Sequence, residues 1–230
     1  MNELPLFLLL AVATGALALL GWYMAEKRRK ALRAWATAQG LSFNAEREVG
    51  YDVRYPQFGS LGKGDNRYAY NVMRGLWKGR ALQAFDYHYE THSTDSKGRR
   101  TTHHHHFSAI LLDSEVPLKP LFIRPEGVLD KVTEFFGFDD IDFESAEFSR
   151  KFYVKASDKK WAYDVIHPRA MEFLLGAPAF TIQFETCCVL VCRDRTFGVD
   201  EFSRAVEVAA GLLDRLPEYV IKQQLRRESA

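Results

Sequence analysis

The apolar positions of this chain are unevenly spread, and the first block frames the rest. Leu4 to Ala25 reads LPLFLLLAVATGALALLGWYMA without a charged side chain, and EKRRKALR follows at once. At about 1.5 Å per residue the run reaches roughly 33 Å as a helix, against a hydrocarbon core of about 30 Å. The pattern predicts a transmembrane anchor over residues 1–26. Lys27, Arg28, Arg29, Lys30 and Arg33 flank its far end, so the positive-inside rule puts the amino terminus outside and the rest inside. Glu3 and the length of the run argue against a cleaved signal peptide. A juxtamembrane helix over 27–40 continues it, with Leu32, Trp35 and Ala36 as an apolar stripe and Gly40 as its stop.

Beyond Gly40 the period changes. Leu41 to Glu46 reads as a short strand, and 47–66, with Pro56, Gly59, Gly62 and Gly64, as loop. RYAYNVMRGLW and RALQAFDYHYETH flank Lys78-Gly79 as a hairpin, and THHHHFSAILLD and PLFIRPE add strands. Residues 128–136 carry helical spacing up to Gly137. SRKFYVKAS and KKWAYDVI read as strands around Asp158, Pro168 opens a short helix to Gly176, and FTIQFETCCVLVCRD is a long strand or a pair. DEFSRAVEVAAGLLDRL is an amphipathic helix with Asp200 at its start and Pro217 beyond its end. The class is α+β: a mostly antiparallel β-sheet domain with flanking helices over 41–230, preceded by the transmembrane helix. The tetrapeptide EFSR occurs at 147–150 and 201–204, in keeping with two similar lobes near 41–137 and 138–217.

Charge narrows the partners. Charged residues make up 27% with a net charge of +1, which argues against nucleic acid. The basic excess lies at Lys27–Arg33, where it suits anionic lipid, while residues 4–25 suit the lipid bilayer. Cys187, Cys188 and Cys192 sit in an apolar strand and read as free, buried thiols. GSLGKGD lacks phosphate-loop spacing, DDIDFESAE lacks the glycine and distal glutamate of a calcium loop, and neither GxSxG nor HExxH is present. No catalytic or cofactor-binding residue is nominated.

Six of the seven histidines fall between residues 86 and 106. Pairing Tyr87 with Phe107 and Phe85 with Ala109 keeps apolar side chains together. That register sets His88 opposite His106 and Glu90 opposite His104, with Asp86 and Ser108 on the same face. His88, Glu90, His104 and His106 then form a candidate metal site for zinc, nickel or copper. A slip of one residue would bring in His103 and His105 instead. The same pattern also describes a solvated polar face.

The anchor, EKRRKALRAWATAQGLSF, NVMRGLWKGRALQAFDYHYET, FIRPE and DIDFE together resemble a family of uncharacterised bacterial single-pass membrane proteins. The resemblance implies an inner-membrane location with a cytoplasmic carboxyl-terminal domain, and carries no activity. The functional expectation is a cytoplasm-facing binding or scaffolding domain with an unidentified protein partner. The alternative is a metal- or pH-responsive sensor built on the histidine hairpin.

Overall fold

The computed structural model describes residues 4–127 and 139–228, without the side chains of 4–8, 10, 139, 227 and 228. In chain order the elements are α1 (Leu4–Ala38), β1 (Ser42–Asn44), α2 (Tyr51–Arg54), α3 (Gly59–Gly62), β2 (Asp65–Trp77), β3 (Arg80–Thr94) and β4 (Arg100–Pro125). There follow β5 (Asp139–Asp140), α4 (Ala146–Lys151), β6 (Phe152–Ala156), α5 (Lys159–Val165), α6 (Pro168–Gly176), β7 (Thr181–Arg193), α7 (Val199–Leu213) and α8 (Glu218–Glu228). The expected helix over 128–136 lies outside the described residues.

The 26-residue β4 is the spine of the sheet. Its first half pairs with β3, its middle and second half with β7, and its last residues with β6. The described strand order is β1-β2-β3-β4-β6-β5, with β7 beside β4 and every pairing antiparallel. β2 and β3 meet in a tight turn. Lys78 and Gly79 both take positive φ there (50° and 90°), the turn whose twist matches that of the flanking strands.

Both faces of the sheet are covered. One face buries Met73, Leu82, Ala84, Ile110 and Leu112 in the larger core, beneath residues of α1 and α7. The other buries Phe85, Tyr87, Ala109, Cys188 and Leu190 under Tyr51, Phe58 and Leu61. Strand alternation assigns each side chain its face. Leu32, Trp35 and Ala36 of α1 are buried, and Trp35 Nε1 donates to Ser203 Oγ of α7 at 2.8 Å. The apolar stripe read over 27–40 therefore docks on the domain.

The α+β class, the antiparallel sheet and the flanking helices hold. The transmembrane anchor does not: among the described residues, no helix is long and apolar enough to cross a membrane. Residues 11–25 of α1 are uncharged. Charged Glu26 to Lys30 follow them in the same unbroken helix. The single-pass assignment, the inner-membrane location and the outside-to-inside topology rested on that span and are withdrawn with it.

Local corrections have local causes. KKWAYDVI is helix α5, because Asp158 accepts from Trp161 N at 3.1 Å as an N-cap and Trp161, Ala162 and Val165 share one buried side. The 47–66 stretch holds two single-turn helices, which carry Tyr51 and Leu61 into the second core. α7 starts at Val199 with Gly198 as its N-cap, and Glu201 rather than Asp200 accepts the Gly198 N–H at 3.0 Å. Cys188 and Cys192 are buried as expected, but Cys187 is exposed beside Thr186, whose φ of 47° interrupts the strand.

Candidate functional site

One face of the β3–β4 hairpin carries two polar groups in succession. Asp86 comes first and is fully buried. Arg28 of α1 grips both its oxygens, at 2.5 and 2.8 Å, and donates to Phe197 O at 2.9 Å. Asn71 Nδ2 and Ser108 Oγ also donate to Asp86, and Ser108 Oγ accepts from Phe197 N at 2.8 Å. Burial works against the Arg28 charge, but the bonds and charge of Asp86 outweigh it and hold the guanidinium above its ordinary pKa. Each Asp86 oxygen accepts two hydrogen bonds, so this group clamps α1 to the sheet.

Two residues further along β3, a rise of about 7 Å, comes the histidine group. The observed register is His88 opposite His106 and Glu90 opposite His104, as the alternation predicts. His88 is buried and stacks on Tyr68 at a ring separation of 4.5 Å. Its Nδ1 lies 3.1 Å from the carbonyl of Asn66. An Nδ1–H donated there leaves Nε2 with a free lone pair. That Nε2 is 3.2 Å from His104 Nδ1 and 4.0 Å from Glu90 Oε1, and His104 Nδ1 is 3.4 Å from the same oxygen. Among the described residues, His88, Glu90 and His104 form the group of donors able to hold a metal ion.

His106, the fourth candidate, turns aside. Its Nδ1 lies 3.1 Å from Tyr70 OH. Burial, followed by the neighbouring His88 and His104, lowers its pKa. His103 and His105 occupy the opposite face, against Ser93 and Thr91. Sequence reasoning missed Asn66. Its Nδ2 donates to Glu90 Oε1 at 2.6 Å, and this bond, with the nearby histidines assisting, holds the Glu90 carboxyl below its usual range. Its φ of 47° is the one available signal, since asparagine is among the few residues that accept the left-handed region.

The larger concavity lies elsewhere. A groove of ≈ 930 Å³ runs beside Phe143, Tyr163 and Met171 with Glu144, Glu147 and Glu172 around it. We weigh it less, because its carboxylates do not converge with the histidine donors. A smaller groove of ≈ 440 Å³ borders His104, His105 and His106.

No family model matches this chain, and no curated protein does. Among solved structures it is similar to the mycobacterial trehalose monomycolate transport factor A, TtfA. The TM-score is 0.60 at 15% sequence identity, covering 81% of this chain and 92% of that one. At that identity the likeness establishes a shared fold.

Proposed function

We propose that this chain is a binding domain associated with lipid transport, meeting lipid through α1. The observation that carries the reading is α1 itself. Beyond the docked segment, Leu9, Val12, Leu17, Leu19, Leu20 and Trp22 are exposed on one helix, while the clamp at Arg28 holds that helix to a folded domain. An apolar surface of this extent calls for an apolar partner. Lys27, Arg29, Lys30 and Arg33 are exposed just past it, where lipid phosphates would meet them. The shared fold with a trehalose monomycolate transport factor supports the same direction.

Vesicle flotation of the full-length protein tests the reading. It should float with phosphatidylglycerol vesicles more strongly than with phosphatidylcholine vesicles. Lys27→Glu, Arg29→Glu and Lys30→Glu together should weaken the anionic interaction at least tenfold, since each basic residue contributes about 1 kcal/mol near an anionic surface. Flotation indifferent to lipid charge and to these substitutions would refute the role of the basic segment. No flotation with either vesicle would refute the lipid reading itself.

A further inference from the structure

We infer that His88 Nε2, His104 Nδ1 and Glu90 Oε1 form a zinc site with one open coordination position. The first argument is metric. Three ligands on a tetrahedral zinc, with bonds of about 2.0–2.1 Å, stand about 3.3–3.4 Å apart. The three atoms here are separated by 3.2, 3.4 and 4.0 Å. A small turn of the Glu90 carboxylate closes the longest edge.

The second argument is the support behind the donors. Metal-bound histidines commonly give their other nitrogen to a carbonyl, and His88 Nδ1 has Asn66 O. The Asn66 side chain holds the Glu90 oxygen that faces both imidazoles. A single asparagine therefore orients two of the three ligands. The Tyr68 ring stacked on His88 fixes the plane of the imidazole.

The third argument is access. His88 and Glu90 side chains are 3% and 16% exposed, whereas His104 is 59% exposed, so the triangle is closed on the protein side and open on the other. A fourth ligand must come from solvent or from a bound molecule offering an anionic oxygen. Two histidines, a glutamate and an open position constitute a reactive or ligand-accepting donor set, unlike the closed four-residue sets of structural zinc. Binding needs no oxidant. Zn²⁺ takes His104 Nδ1 in the tautomer whose proton sits on Nε2: the proton shared with His88 Nε2 is lost to solvent while His104 Nε2 takes one up, so a neutral imidazole binds with no net proton release.

Calorimetry of the full-length protein with zinc chloride provides the test. One ion per chain should bind with a Kd tighter than about 1 μM. His104→Ala and Glu90→Gln should each weaken binding about 100-fold. Asn66→Gly, which keeps the carbonyl and tolerates the positive φ, should weaken it about 10- to 100-fold. His106→Ala, and His103→Ala with His105→Ala, should leave it unchanged. Cobalt(II) in place of zinc should show the intense visible bands of a tetrahedral centre. Since His104 is exposed, its replacement leaves the fold intact, which circular dichroism verifies. Three results would each overturn the site: a Kd weaker than about 100 μM, equal loss in His106→Ala, or full binding retained in His104→Ala.

Discussion

Asp86 and Glu90 stand four residues apart on the same face of the same strand, each with a cationic or imidazole neighbour, yet they do opposite jobs. Asp86 is fully buried and surrounded by donors: Arg28, Asn71 and Ser108 saturate its oxygens. Glu90 accepts from Asn66, and its Oε1 also faces two imidazole nitrogens whose lone pairs can converge with it. A carboxylate saturated by donors is a structural fastener. A carboxylate among acceptors has affinity for a cation that the protein itself does not supply. The difference between the two follows from what lies against the strand: α1 brings Arg28 to Asp86, whereas Glu90 is met by Asn66 and the largely exposed His104.

Substitutions can break this contrast at either end. The largest effect should come from Arg28→Ala, which strands the buried Asp86 charge and should cost about 3–5 kcal/mol in urea denaturation. Replacing both partners with Arg28→Met and Asp86→Leu should recover most of that loss, because no uncompensated charge remains. Next is the response to zinc. At a free concentration 100 times Kd it should raise stability by about 2.7 kcal/mol in thermal denaturation. Glu90→Gln should remove that gain while leaving the melting temperature of the metal-free protein little changed. Tyr70→Phe should cost about 1 kcal/mol or less through its bond to His106 and leave the zinc response intact, separating the fourth histidine from the site.

The smallest effect concerns a carboxylate at the rim. Glu201 is held down to about 2, first by its hydrogen bonds from Arg195 and also by the Gly198 N–H and the charge of Arg193. A depressed carboxylate pKa favours the fold while the group is ionised. Its contribution is complete above the ordinary glutamate value of about 4.3 and disappears as pH falls through about 2. Glu201→Gln should flatten that part of the stability profile, measured by denaturation across the acid range.

The register of the histidine hairpin was legible because alternation leaves little choice. Once Phe85 and Tyr87 face a core, a one-residue slip would expose them, so the positions opposite His88 and Glu90 follow. The separation of His106 from the other three was not legible, since it depends on Tyr70 arriving from β2. Nor was the clamp: Arg28 and Asp86 are 58 residues apart, and charge in a basic run gives no indication of which member is buried. Counting Arg28 with the exposed cations of 27–33 was therefore an error of grouping. KKWAYDVI misled because aromatic and β-branched residues suit strands, while the decisive signal was Asp158 three residues ahead of Trp161. The apolar run at the amino terminus was read from its length, its lack of charge and its basic flank, and the helical continuation through 27–40 was legible, but the span itself is not supported: among the described residues no helix is long and apolar enough to cross a membrane.

That continuity has a rotational consequence. α1 passes without a break from its exposed apolar half to the half fixed by Arg28, Leu32 and Trp35. Its azimuth about its own axis is therefore set by the sheet, like a key cut to one lock. Adding one alanine between Ala25 and Arg28 would turn the amino-terminal half of α1 by about 100° against the domain, and adding seven would return it to within about 20°. If the direction that half of α1 faces matters, vesicle flotation should fail with one inserted residue and revive with seven, while the fold stays untouched in both.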